Sequence, residues 1–183
     1  DNGHEVDGLP VLDNLPVDGC ELNLQKSFSK PTGTISLDYK VSPDVLVYAA
    51  SRYGYRSGGF NLRASQPVQY VPFRPETVTD FEVGTKADWS VGDVKMRTNL
   101  AAFYQKYSDI QRMQSIVGGS GQPTTTVINA ASANVFGIEF EQTIRPTRGL
   151  MLRLNYSYTD PTYKKWTDPI SSADLTDTPF FFT

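Results

Sequence analysis

From Thr34 onward the side chains alternate between apolar and polar, in runs long enough to dictate a fold. In the first run Ile35, Leu37, Tyr39 and Val41 fall on one side, and Ser36, Asp38 and Lys40 on the other. A period of two marks a strand with one apolar face. The pattern resumes after Ser42-Pro43-Asp44 with Val45, Val47, Ala49, Ser51, Tyr53 and Tyr55. It continues with Phe81, Val83, Thr85, Ala87 and Trp89, then turns at Ser90-Val91-Gly92-Asp93 into Val94, Met96, Thr98, Leu100, Ala102 and Tyr104. Phe136, Ile138, Phe140, Gln142 and Ile144 form a fifth run. Beyond Pro146-Thr147-Arg148-Gly149 a sixth carries Leu150, Leu152, Leu154, Tyr156 and Tyr158. The reading is all-β, with six antiparallel strands in three hairpins over residues 33–159. Tight turns close the hairpins, and long connections, Ser57–Pro75 and about Arg112–Thr126, join them. Residues 1–32 and 160–183, broken by Gly and Pro, read as loop.

Charge is segregated by the same alternation. The chain is 20% charged, yet none of the apolar-side positions named above carries a charge. The opposite side carries Asp38, Lys40, Arg52, Glu82, Lys86, Asp88, Lys95, Arg97, Glu139, Glu141 and Arg153. A formal net charge of −3 gives no electrostatic reason to bind nucleic acid. The longest apolar run, Val45–Ala50, falls far short of the ~20 residues of a spanning helix. Cys20 and His4 are the only residues of their kinds, which excludes an internal disulfide or a multi-cysteine zinc site. Both lie in a Gly/Pro/Asp-rich stretch and read as incidental loop residues. Asp80 and Glu82, two apart on one face, have the spacing of paired catalytic carboxylates but no surrounding pocket, so no enzyme, no metal site and no cofactor are expected. The diglycines Gly58-Gly59 and Gly118-Gly119 lack a strand-to-helix setting and read as loop hinges.

Two architectures segregate charge in this way. In a soluble β-sandwich the apolar face is the core; in an outer-membrane barrel it meets lipid, and the charged face lines a polar lumen. Three features favour the barrel. The alternating runs have the ~9–11-residue length of a tilted membrane strand, longer than the usual strand of about 5–6. Short turns gather at one end and long loops at the other, as periplasmic turns and extracellular loops do. Aromatics sit at both ends of the apolar face: Tyr39 and Trp89 beside the short turns, and Tyr53, Tyr55, Tyr104, Tyr156 and Tyr158 towards the long loops, where two membrane interfaces would select them. The residues alone leave two rivals open. One is a soluble carbohydrate-binding sandwich with Trp166 and Tyr163 as an exposed stacking platform. The other is an outer-membrane channel or adhesin barrel without energy coupling.

The stretch Val47-Tyr48-Ala49-Ala50-Ser51-Arg52-Tyr53-Gly54-Tyr55-Arg56-Ser57-Gly58-Gly59-Phe60-Asn61 resembles the barrel of TonB-dependent outer-membrane receptors. Phe73-Arg74-Pro75-Glu76, Phe81-Glu82-Val83-Gly84-Thr85-Lys86 and Asn99 to Gln111 follow in that family's order. Asn129-Ala130-Ala131, Gly137-Ile138-Glu139-Phe140-Glu141 and Tyr156-Ser157-Tyr158-Thr159-Asp160 complete the series. Such receptors are barrels of about 22 strands with a plugged lumen. Neither a plug domain nor an energy-coupling box is seen in these residues, so the resemblance implies a segment from the C-terminal half of the barrel.

The resemblance further implies active transport across the outer membrane of a Gram-negative bacterium, of a scarce ligand, foremost a ferric siderophore. The implied partners are the plug domain of the same full-length chain, TonB acting through the N-terminal part, and outer-membrane lipid. Arg52, Arg56 and Tyr55, near the long-loop end, are candidates for the ligand pathway, with pairing to Asp80 or Glu82 the structural alternative for the arginines. Glu141 with Arg153, and Asp88 with Lys95 or Arg97, are expected charge pairs of the lumen wall. Glu141 and Arg153 should face one another across the Pro146–Gly149 turn. Tyr39, Trp89, Tyr104, Tyr156 and Tyr158 are the expected membrane-interface aromatics.

Overall fold

The computed structural model describes residues 25–61, 71–117, 121, 123–166 and 173–179. The readings of His4, Cys20 and Gly118-Gly119 lie outside the described residues. Six strands form one sheet: β1 (Gly33–Ser42), β2 (Val45–Arg56), β3 (Glu76–Val91), β4 (Val94–Val117), β5 (Pro123–Thr147) and β6 (Leu150–Trp166). Each pairs antiparallel with the next in chain order, so the sheet is a simple meander.

Register brings the predicted apolar sets onto a single face. Leu37 lies opposite Ala49 and Ala49 opposite Val83. Val83 then meets Ala102, Ala102 meets Ile138, and Ile138 meets Tyr158. This row crosses all six strands without changing face. The face is bare: Ile35 is 80% exposed and Leu154 61%, with Phe81, Val83, Leu100, Phe136 and Leu152 exposed beside them. Among the described residues no second sheet covers it. A soluble sandwich requires such a cover. The buried apolar cluster lies on the other face, towards the long-loop end, where Ile110, Ala131, Ala133, Val135 and Tyr163 pack with Phe103, Tyr107, Ala130 and Trp166 around them.

Three two-residue turns, Pro43-Asp44, Gly92-Asp93 and Arg148-Gly149, close the hairpins at one end. Gly92 has φ +57°, the left-handed value that a tight hairpin turn requires and glycine supplies freely. At the other end the strands run longer than the alternation predicts. β4 continues to Val117 and β5 begins at Pro123, so most of the expected 112–126 loop is a hairpin ladder. β3 starts at Glu76 rather than Phe81, and β6 passes through Pro161 to Trp166, where loop was expected. These extensions carry Thr, Gln, Ser and Asn on both faces, which hides a strand from any search for an apolar side. Pro161 lies within β6, opposite Val135 on β5. The segment around Thr178 then pairs along the end of β6, with an isolated bridge between Thr162 and Pro179.

Candidate functional site

The charged face is wired into short networks. Arg52 on β2 donates to Asp80 at 2.6 Å and to Glu82 at 2.7 Å, both on β3. The Tyr48 hydroxyl donates to the second oxygen of Glu82 at 2.7 Å, and Gln105 on β4 reaches Asp80 at 3.3 Å. One guanidinium thus straddles two carboxylates a strand period apart, and the two acids are held as counter-ions rather than as an acid/base couple. Arg56 pairs with Glu76 at 2.7 Å and donates to the Gln111 carbonyl at 3.2 Å. Nearer the short turns Arg97 makes a two-pronged contact with Asp88, both bonds at 2.6 Å. Such fork-to-carboxylate geometry is the strongest form of ion pair.

Two strand glycines on this face are seats for aromatic rings. Gly84 lies opposite Tyr48, and a Cβ built on it would sit 2.6 Å from that ring. Gly137 lies opposite Phe103, with the corresponding distance 2.2 Å. Glycine is otherwise unfavourable in a strand, and close approach is what retains it.

Several expectations change. Glu141 faces Asn155, and Arg153 faces Thr143, so Glu141 and Arg153 are not opposite. The turn falls on Arg148-Gly149, with a register shift between Ile144 and Thr147 that moves every partner along β6. Glu141 instead accepts from Asn99 at 2.9 Å. Lys95 lies opposite Ser90 and Arg145, and its neighbour Asp88 is taken by Arg97. Tyr55 shares the bare face with Val47 and Phe81, so it does not converge with Arg52 and Arg56. Tyr163 and Trp166 are no exposed platform: Tyr163 is 2% exposed, its ring 4.6 Å from that of Trp166, and the Arg112 guanidinium lies over both. Tyr39, Trp89, Tyr104, Tyr156 and Tyr158 all stand exposed on the bare face, Tyr39 and Trp89 towards the short turns and the other three towards the long loops.

Several motif residues meet at the long-loop end as a clasp, Gly58-Gly59, expected as a loop hinge, among them. Gly59 and Phe73 exchange backbone hydrogen bonds of 3.2 and 2.9 Å, pinching the β2–β3 connection. Gly58 fits only as glycine, since a Cβ there would stand 2.2 Å from the Phe73 carbonyl oxygen. Asn61 accepts from Val127 N at 2.6 Å and donates to Val127 O at 3.2 Å, so its side-chain amide imitates a pairing strand. Asn129 does the same for Arg74, accepting from its N–H at 2.6 Å and donating to its carbonyl at 2.8 Å. Arg74 in turn reaches Asp109 at 2.6 Å, a residue at φ +55° where β4 shifts register. Gln111 donates to the Ser57 and Arg74 carbonyls, while Glu76 accepts from the Gln111 N–H at 2.8 Å. The connection is thereby fastened to β4 and β5, strands to which it is not adjacent in sequence. The sequence signal was two asparagines inside motifs, a residue type whose amide can replace a backbone partner.

The comparisons accord with this architecture. The profile described as "TonB dependent receptor-like, beta-barrel" matches residues 11–183. The pesticin receptors of Yersinia enterocolitica and Yersinia pestis are 29% and 28% identical over 109 residues, which is 60% of this chain. The solved ferric yersiniabactin uptake receptor FyuA from Yersinia pestis superposes with a TM-score of 0.55 at 25% identity, over 72% of this chain and 18% of that one. The chain spans only 15% of the length of the pesticin receptors it matches. With a family profile across nearly its whole length and a sheet apolar on one face and charged on the other, the chain belongs to the TonB-dependent receptor family, as part of its β-barrel domain.

Proposed function

We propose that this chain is a wall segment of an outer-membrane receptor that takes up a ferric siderophore, energised through TonB acting on a plug domain of the full-length protein. The observation that carries this reading is the bare apolar band across all six strands, backed by a charged face. Along β4 the band runs from Val94 to Tyr104, about ten steps of ~3.3 Å. At a tilt of about 40° that rises ~25 Å, the height of the apolar belt of outer-membrane barrels. Just beyond it the same face turns polar, with Lys106 opposite Asn134 and Asp160 opposite Phe136. Tyr104, Tyr156 and Tyr158 mark the upper interface, and Tyr39 and Trp89 the lower. The charged face lines the lumen, the two-residue turns face the periplasm, and the long-loop end forms part of the extracellular mouth. A ligand descending from that mouth meets Arg56 before Arg52.

The siderophore class is supported by the ferric yersiniabactin receptor among the similar structures. The test uses the full-length gene in a Gram-negative host lacking its own ferric-siderophore receptors, with radiolabelled ferric yersiniabactin and a panel of other ferric siderophores as probes. Uptake of one probe that requires both the receptor and an intact tonB gene is expected. Ligand uptake that persists without tonB, or no uptake with any iron chelate, would overturn the reading.

A further inference from the structure

Above the band, on the charged side of the sheet, a pocket of about 410 Å³ adjoins the buried cluster. Arg112 and Gln114 line it from β4, Tyr163 and Trp166 from β6, and Leu175 and Pro179 from the segment beyond. Its side of the sheet follows from register. Tyr163 faces Ala133, which faces Tyr107, two residues along β4 from the Gln105 that reaches Asp80. The volume falls in the ~300–1,000 Å³ range of small-molecule sites.

The walls are held in place by contacts of their own. Arg112 donates to the Tyr163 hydroxyl and lies 5.8 Å from the Tyr163 and Trp166 ring centres. The Leu175 N–H donates to the Trp166 carbonyl at 2.8 Å, and the Asp177 N–H to that of Tyr163 at 2.8 Å. Two polar atoms of the lining nevertheless have neither a hydrogen-bond partner nor contact with solvent: the Trp166 indole nitrogen and the Gln114 side-chain carbonyl. The first only donates and the second only accepts. Native proteins seldom leave such a pair unmade, because each buried group forfeits its bond to water. At the same end of the wall, Asn61 and Asn129 each meet a main-chain amide with both a donor and an acceptor.

We infer that the pocket takes a secondary amide of the transported ligand, its carbonyl accepting from Trp166 and its N–H donating to Gln114. The inference rests on the receptor reading above and narrows the ligand to chelates with a peptide-type backbone. A trans amide presents donor and acceptor on opposite edges, which suits partners carried by β4 and β6 with β5 seated between them. An ionised carboxylate serves Trp166 but has no proton for Gln114, and a hydroxyl holds both functions on one atom. Leu175 and Pro179 give apolar cover to the carbons flanking the amide.

Uptake kinetics of the full-length receptor, in the receptor-deficient host described above, test this. The probes are ferrioxamine B, which carries secondary amides, its analogue methylated at those amide nitrogens, and ferric citrate, which has no amide. Trp166→Phe and Gln114→Met each remove one polar atom. Each should raise the KM for ferrioxamine B by about 3–10-fold at unchanged maximal rate. Methylation removes the amide's own donor, so the parent receptor should show the same rise with the methylated analogue, a comparison that needs no variant to fold. Gln114→Met should then add nothing further with that analogue. If ferrioxamine B enters with a KM that neither variant nor methylation moves, the inference fails and the receptor reading stands. The same holds if only chelates without a secondary amide are taken up. If no ferric chelate enters in a TonB-dependent way, both fail together.

Discussion

Gly137 shows how one missing methyl group can set the shape of a wall. Its Cα carries the Phe103 ring, and a Cβ at 2.2 Å leaves no room for both. Overpacking of this kind costs about 1–3 kcal/mol. Gly137→Ala in the full-length receptor should therefore lower the urea midpoint of the unboiled, fast-migrating form. Adding Phe103→Leu to Gly137→Ala should recover part of that loss, because the flat ring is what the methyl strikes. Arg52 governs a different balance. Its removal leaves Asp80, 6% exposed, and Glu82 together without their cation. Arg52→Ala is expected to cost about 1–3 kcal/mol, discounted from a fully buried pair because the guanidinium is partly wet. Arg52→Ala combined with Asp80→Asn and Glu82→Gln should cost less than Arg52→Ala alone, as urea midpoints will show. At this scale the sequence was legible where strand parity alone decides. Parity placed Arg52, Asp80 and Glu82 on one face. It could not pair Glu141, because a shift of the turn by one residue displaces each cross-strand partner, and nothing in Pro146-Thr147-Arg148-Gly149 announces the irregularity between Ile144 and Thr147.

The strands differ in how openly their sequence declares them. Within the band every strand reads clearly, because lipid on one side and a polar space on the other impose strict alternation. Above it the ladder from Arg112 to Val117 against Pro123 to Ile128 carries Met113, Val117 and Val127 on one side with Ser115 and Thr125 between them, an alternation too mixed to reveal it. The same physics predicts a directional response to charge. Leu154→Arg, at mid-band on the bare face, should cost about 2–4 kcal/mol, whereas Asn155→Arg, one residue on and facing inward, should be nearly neutral. Denaturant titration of the refolded receptor in lipid vesicles separates the two. The clasp was readable only as motif residues, not as contacts, since Asn61 meets Val127 and Asn129 meets Arg74 across sequence distances that no local pattern spans. Asn61→Ala with Asn129→Ala is expected to free the β2–β3 connection. Protease added to intact cells should then cut within 57–75 faster than in the parent, while migration of the unboiled receptor is unchanged.

As a whole the sheet is inside-out for water and right-way-round for a bilayer. Ile35, Leu37, Tyr39, Phe81, Leu154 and Tyr156 stand exposed on one face, and the buried cluster is a minor patch near one end of the other. The first and last strands leave two unpaired edges among the described residues, a template for pairing with neighbouring strands. Residues 25–183 expressed alone should consequently aggregate in water and be held in solution by detergent, a difference that light scattering measures directly.

The strands are also of very unequal height, 10 residues in β1 against 24 and 25 in β4 and β5. The register shifts in these pairs occur near the short turns, between Lys40 and Ser42 and between Ile144 and Thr147, or above the band, between Tyr107 and Gln111 and between Ser132 and Ala133. None interrupts the apolar rows themselves. A residue gained or lost in the tall hairpin is absorbed at those joints before it can rotate a single side chain out of the lipid. Insertions or deletions above the band can therefore change the height of the long-loop end while the apolar rows below keep their register.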